Sequence, residues 1–292
     1  MVDDTFLHRT VPALGRRIHR LGLACNFGID ERGFERALER GLQYVFWTTL
    51  RTGHLRAPLK QALQRDREHL VVAAGASLGW FGGSVRRAAE KQLRELGTEY
   101  LDVFHLFWLG KTSAWTDGTI EALAKLKEEG KIRSVGISIH DRVRAGRMVG
   151  VAPIDLFMLR YNAAHPGAER DVFPHMPGAQ GPASHADASS VVRPAIVAYT
   201  ATDWRKLLKA PRGWDGPVMT AGDCYRFCLS SPHVDLVLTG PKNFEQLEES
   251  LTALDRGPLT PEEDKWMRAF GAHVHGGGAK REAATSSDAP AM

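Results

Sequence analysis

A few residues in this sequence have the types and placement for chemistry, and each also has a plain structural use. His140, in GISIHD, sits where a strand-like run gives way to a helix-like one. An imidazole titrates near neutral pH and is the natural general base there. The same position also suits a side chain that caps a helix starting near Asp141. Arg160 has the planar fork that clamps a carboxylate or phosphate, or it pairs with Glu169 or Asp171 in the loop that follows. The turn Gly240-Pro241-Lys242-Asn243 leads into the helical pattern carrying Gln246, Glu249 and Ser250. Backbone N–H groups and the helix dipole make such a turn an anion site, with Lys242 adding charge; it reads equally as an ordinary strand-end turn. Cys224 and Cys228 lie one helical turn apart in DCYRFC, but a metal would need two more ligands, so they read as buried thiols. His165, His175 and His185 are not spaced like ligands on one element. No metal site is expected.

The elements that must position these residues follow a simple rhythm. Candidate strands are Arg20–Cys25, Tyr44–Thr48, Leu70–Ala74, Leu101–Phe107, Ser134–Ser138, Asp155–Leu159, Ala195–Thr200 and Leu236–Thr239. Each is followed by a polar or amphipathic stretch, among them Glu31–Arg40, Val85–Leu96, Gly118–Glu129 and Phe244–Leu254. This alternation predicts a parallel sheet with right-handed crossovers. Eight such units in one chain read as a closed (β/α)8 TIM barrel. Gly97 and Gly130 stand where helices should end on a left-handed residue.

Two stretches break the pattern. Residues 175–190, rich in Pro, Gly, Ala, Ser and His, read as a loop insertion between the sixth and seventh strands. Residues 274–292 have a composition that builds no core and read as a disordered tail. The remainder, 1–273, reads as one domain. The chain has 292 residues, 43% hydrophobic and 25% charged, ordinary for a protein with a large core. The net charge of +4 comes from Lys and Arg that alternate with Glu and Asp along helices. That pattern is unlike a nucleic-acid face and compatible with a basic mouth for an anionic small-molecule ligand. Three cysteines argue against a disulfide framework and for a reducing, cytoplasmic compartment. No secretory leader and no apolar run near ~20 residues is visible, so a membrane partner is not expected.

Four segments carry a resemblance. KQLRELGTEYLDVFHL, LAKLKEEGKIRSVGISIH, RYNAAHPGAERDVFP and VDLVLTGPKNFEQLEESLTAL, in this order and spacing, resemble the aldo-keto reductases from about Arg20 to about Gly271. The resemblance implies the barrel fold, NADP(H) as cofactor, and hydride transfer between it and a carbonyl. In that family a Tyr donates the proton, assisted by an Asp, a Lys and a His. A phenol with pKa near 10 is a poor acid at neutral pH without such neighbours. The family's D-T-A-x-x-Y-G segment matches Phe46-Trp47-Thr48-Thr49-Leu50-Arg51-Thr52, which puts Phe46 at the Asp and Arg51 at the Tyr. The Lys position matches Gly75 and the His position Phe107. Val45–Leu63 contains neither Asp nor Tyr, and no Lys precedes Lys91 in Arg67–Lys91, so a small shift of register restores nothing. His105 lies two residues before Phe107, on the same face and deeper.

The cofactor positions are mixed. The resemblance places Ser138, Tyr199 and the set Gly240, Pro241, Lys242, Asn243, Gln246, Glu249 and Ser250 around NADP(H). A family Asn becomes Ile139 and a family Gln becomes Met158. At the C-terminal ends of the strands, where barrel sites lie, the sequence offers Trp47, Arg51, His54, Phe107, Trp108, His140, Arg160 and Tyr199. Of these, Trp47, Arg51, Phe107, Trp108 and Arg160 form the expected substrate pocket. The set is aromatic and cationic, without an evident general-acid pair. The resemblance implies an NAD(P)-dependent oxidoreductase, whereas the substitutions make conventional carbonyl reduction doubtful. The alternatives are a pseudoenzyme that binds a small molecule or nucleotide without redox turnover, and a lyase or cyclase using the same pocket with His140 as base.

Overall fold

The computed structural model describes residues 4–48, 51–150, 152–177 and 193–287. Most of the loop expected at 175–190 lies outside the described residues. A short helix α1 (Asp4–Leu7) precedes an antiparallel hairpin, β1 (His8–Val11) and β2 (Arg16–His19). Eight parallel strands then close a barrel in the order β10-β3-β4-β5-β6-β7-β8-β9. They are β3 (Leu21–Ala24), β4 (Tyr44–Phe46), β5 (Val71–Ala76), β6 (Leu101–Leu106), β7 (Ile132–Ser138), β8 (Leu156–Arg160), β9 (Ala195–Tyr199) and β10 (Leu236–Thr239). Around them run α2 (Glu31–Glu39), α3 (Arg56–Arg65), α4 (Gly82–Leu96), α5 (Asp117–Glu128), α6 (Arg142–Met148), α7 (Ala168–Asp171), α8 (Ala221–Ser230), α9 (Phe244–Asp255) and α10 (Pro261–Ser287). All eight expected strands are present, and the fold is a (β/α)8 barrel.

Alternation along the strands sorts the core into two regions. Tyr44, Phe46, Val71, Ala73, Val103, Leu156, Met158, Val197 and Leu236 fill the barrel interior, and the hairpin closes its lower end with Val11 and Ile18. Val45, Val72, Phe104, Ile137, Phe157 and Val237 face the helices. Gly97 and Gly130 end α4 and α5 with φ of 64° and 70°, the left-handed turn that glycine makes without strain.

One polar device recurs at the lower end. Asp102, Asp155 and Asp235 each accept the backbone N–H of the neighbouring strand, from Val72 (2.9 Å), Val135 (2.8 Å) and Ile196 (2.7 Å). Each also holds a cation: Arg67, Lys127 and Arg193 respectively. A carboxylate that accepts from a fixed N–H in the adjacent strand ties the register of the pair.

The last helix, α10, runs from Pro261 to Ser287. Its first turns are anchored by buried Met267, Phe270 and Val274. Residues 288–292 lie outside the described residues. Among the described residues, no helix is long and apolar enough to cross a membrane.

The register device is testable. The Asp102 side chain is 5% exposed and bonded to half-buried Arg67, so Asp102→Ala leaves the Val72 N–H unpaired and should cost about 1–3 kcal/mol in urea denaturation. A loss under about 1 kcal/mol, the range of a solvated pair, would show that the carboxylate does not hold the strands in register.

Candidate active site

The positions singled out by substitution converge at the upper end of the barrel. Phe46 ends β4, Gly75 lies in β5 and Phe107 follows β6. The Phe46 and Phe107 rings meet edge to face with centroids 5.5 Å apart. His105 lies beneath them, stacked on Phe107 at 5.7 Å and 13°, and 6.2 Å from Phe46. Two glycines make the room. A Cβ at Gly75 would stand 2.5 Å from the His105 carbonyl oxygen and 2.8 Å from Cζ of Phe107. A Cβ at Gly136 would stand 2.5 Å from His105 Nδ1. Phe107 therefore fills the volume into which a side chain at position 75 would extend.

This plug is dry. His105 is fully buried and neither ring nitrogen has a hydrogen-bond partner. Burial pushes its pKa down to about 3, so the imidazole is neutral across the physiological range. Above the plug a cavity of about 370 Å³ opens at the mouth, and no Asp, Glu, Lys or Arg lines it among the described residues. Ser138, Met158, Tyr199, His140 and Trp108 line it, together with Gly240. The Tyr199 hydroxyl is buried without a partner, and burial raises its pKa to about 12, which makes it a weak acid near pH 7. His140 is exposed at the rim, edge-on to Tyr199 at 6.2 Å. Burial and the charges of Arg160 and Lys111 lower its pKa. The arrangement offers a neutral imidazole at the rim and a phenol that holds its proton, but no acid tuned to neutral pH.

Several expected site residues lie elsewhere. Trp47 packs in the outer core against the helices, because the alternation that turns Phe46 inward turns its neighbour outward. Arg51 is exposed, has φ of 61° and does not line the cavity. His54 Nε2 is 2.8 Å from the Ile29 carbonyl oxygen, a structural contact. Arg160 makes no ion pair with Glu169 or Asp171. Arg268 and the Tyr161 hydroxyl hold Glu169, while Arg142 and Arg170 hold Asp171. The side chain of Arg160 is half-buried opposite Tyr199 in the sheet register, outside the cavity lining. Asp141, not His140, caps α6, accepting from the Arg144 N–H at 2.9 Å.

The phosphate-side set is mostly engaged in holding helices. Asn243 caps α9 by accepting from the Gln246 N–H, and the Lys242 N–H donates back to Gln246 Oε1, both at 3.0 Å. Glu249 accepts from the Ala221 N–H at the start of α8, and buried Ser250 pairs with Thr239. Of that set only Gly240 lines the cavity. Cys224 and Cys228 are free, buried thiols, their pKa values pushed up by desolvation.

Sequence reading missed Asn26, Phe27, Ser77, Thr202 and Trp204, all of which line the cavity. They follow β3, β5 and β9. The rule that sites gather after strand ends, applied to every strand rather than to those with recognisable motifs, would have found them.

Comparison with known proteins bears on the lineage. The model of the aldo/keto reductase family matches residues 38–178. That match takes in just under half of the chain, which over this segment is similar to the aldo/keto reductases. A relative within that similarity, the uncharacterized oxidoreductase YqkF of Bacillus subtilis (strain 168), is 27% identical over 284 residues, spanning 86% of this chain and 92% of the relative. An aldo-keto reductase of Mycobacterium sp. (strain KMS) is 31% identical over 114 residues, covering 37% of this chain and 40% of the relative. Among solved structures, aldo-keto reductase AKR11C1 from Bacillus halodurans in its holo form superposes with a TM-score of 0.69 at 20% identity, covering 90% of this chain and 95% of that one. An aldo-keto reductase from Klebsiella pneumoniae in complex with NADPH gives the same score, identity and coverage. These structural likenesses show the shared aldo-keto reductase barrel.

The close approach at Gly75 predicts a coupled penalty. Gly75→Ala should destabilise by about 1–3 kcal/mol through overpacking. The cost should shrink in a Phe107→Leu background, because the two sites share one space. Equal costs in both backgrounds, measured by chemical denaturation, would show that Phe107 does not occupy it.

Proposed function

We propose that the chain binds a nicotinamide dinucleotide, NADP(H), at the barrel mouth and does not carry out conventional Tyr-assisted reduction of aldehydes and ketones. The observation that carries this reading is the plug. Where the family resemblance puts a carboxylate, an ammonium and an imidazole, Phe46, Gly75 and Phe107 enclose a neutral His105. Arg51, at the expected proton-donor position, carries a guanidinium in place of a phenol and stands outside the cavity lining.

Support for the cofactor comes from the cavity and from relatives. A flat amide-bearing ring fits a space bordered by Tyr199 and Ser138, where Tyr199 Oη and Asn26 Oδ1 are buried without partners. The Gly240 turn leads to the N-terminus of α9, which favours an anion. The fit is partial, because Lys242 and Gln246 bond within the turn and Ile139 and Met158 replace amide-binding groups. Each lost hydrogen bond should weaken binding by about 0.5–1.5 kcal/mol. The Klebsiella pneumoniae structure was solved with NADPH, and the relative YqkF is described as an oxidoreductase. Bound NADPH supplies a hydride. This chain's residues orient the ring and exclude water, and none is placed to deliver a proton readily at neutral pH.

A second reading rests on His140. Among the described residues it is the one histidine lining the cavity, and its pKa is lowered by burial and by the charges of Arg160 and Lys111. A lyase or cyclase reaction would use it to remove a proton from a ligand lying against Tyr199.

Calorimetry at millimolar NADPH and NADPH oxidation with 4-nitrobenzaldehyde test the proposal together. Expected are measurable heat and a turnover far below the enzyme median of about 10 per second, since a positioned general acid contributes roughly 100- to 10,000-fold. Arg51→Ala should leave any residual rate unchanged. Absence of both heat and fluorescence quenching would remove the cofactor, and turnover near the median would remove the catalytic claim.

A further inference from the structure

Three groups that carry or accept positive charge stand along one edge of the cavity. β7, β8 and β9 are neighbours in the barrel, and two of the groups follow from their register. Ser138 and Met158 line the cavity and pair across β7 and β8. His140 and Arg160 each lie two residues further on, on the same inward face one rung higher. Tyr199 of β9 is the register partner of Arg160, and its ring meets that of His140 at 6.2 Å, across the strand that carries Arg160. The third group, Lys111, comes from the loop after β6. Its N–H donates to the Trp108 carbonyl at 2.8 Å, and Trp108 and Thr112 on either side of it line the cavity.

These cations lack counter-charges. Among the described residues, neither Arg160 nor Lys111 makes an ion pair or a side-chain hydrogen bond, and the Arg160 Nε is buried without a partner. Asp203 feels the charge of Arg160, but it is held by His165 at 3.3 Å and Lys206 at 3.7 Å. Asp141, beside His140, accepts from the Arg144 N–H. A half-buried guanidinium left unpaired costs free energy, and folded proteins keep such local conflicts chiefly at functional sites. The rest of the cavity defines what else a ligand must be. Phe46, Phe107, Trp108 and Met158 line it, no formally charged side chain does so among the described residues, and its volume is about 370 Å³, room for a small apolar body.

We propose that Arg160 and Lys111 form an anion subsite at the cavity rim, and that the cavity takes a small carboxylate with an aromatic or aliphatic body. The planar guanidinium fork matches the two carboxylate oxygens, and the ammonium adds a point charge. Arg160 stands just outside the lining, so the anion sits at the edge while the body lies on the aromatic floor. The carboxylate then offsets the two cations that act on His140. This names a ligand class for the cavity described above and rests on that cavity being a ligand site, but not on the dinucleotide.

Calorimetry with naphthalene-2-carboxylate and with its neutral amide, each without and with millimolar NADPH, reads the subsite, because the two probes share one body. The carboxylate should bind at least about tenfold tighter, as a hydrogen bond to a charged group implies. That preference should fall to about twofold or less in Arg160→Met and shrink in Lys111→Met, whose parent side chain is exposed and makes no contact that folding needs. The ring-proton titration of His140, assigned by its loss in His140→Gln, is the second readout. Its midpoint should rise on saturation with the carboxylate and in unliganded Arg160→Met, since each change offsets positive charge beside the ring. Equal affinity for acid and amide in the parent protein overturns the subsite. A preference kept in full by both variants overturns its assignment to these residues. Binding of neither probe, without or with NADPH, overturns the ligand class, and the heat of NADPH binding alone then decides the cofactor reading.

Discussion

The backbone of Gly75 comes so close to the His105 strand that no side chain fits between them, and the upper barrel is built around that approach. A Cβ there would stand within 2.8 Å of both the His105 backbone and the Phe107 ring. With only a hydrogen at position 75, Phe107 leans across the space beside it, stacks on His105 and meets Phe46. Gly136 gives the imidazole room on the other side. The result is a close-packed floor in which each member depends on the others' shape. A charged group introduced at position 75 would meet the rest of the plug, so placing an ammonium there requires removing the Phe107 ring as well.

This floor also shapes the electrostatics of the mouth. A charge inserted among Phe46, His105 and Phe107 would be buried without a partner, and the cavity above holds none of the four formally charged side chains among the described residues. Charge enters only from outside, through Arg160 and Lys111 acting on His140. The described non-glycine residues with left-handed backbone are Arg51, Trp108, Thr200, Asp203, Trp204 and Arg205, and all follow the C-terminal ends of barrel strands. Strain concentrated at one face is what a binding face set on a rigid scaffold shows.

Much of this was legible in the sequence. Alternating apolar runs located all eight strands, and Gly97 and Gly130 marked helix ends. The two-residue period alone places His105 beneath Phe107. The same period, applied past the end of β4, would have turned Trp47 away from the cavity. What was not legible depends on contacts between distant segments. The partners of Glu169 come from α10 as well as from its own loop, so Arg160 could not be assigned from its neighbourhood. The hairpin that closes the barrel floor has strands of four residues each, too short for a periodic signal. Phe27 and Trp204 lie on loops with no motif, and only the fold brings them 6.2 Å apart.

The central claim is that a dry aromatic plug stands where the family resemblance puts charged catalytic groups, and His105 reports on it directly. Its folded-state pKa of about 3 lies below the ordinary 6.5. The neutral ring therefore contributes stability in full above pH 6.5, and that contribution is lost as the pH falls toward 3. The most direct measurement is the ring-proton chemical shift of His105 against pH, assigned by its absence in His105→Leu. A shift that stays flat from neutral pH down to the acid limit of the folded state, with any titration near 3, is the predicted result. A midpoint near 6.5 would mean that water or a charged partner reaches the imidazole, and the plug as described would not exist.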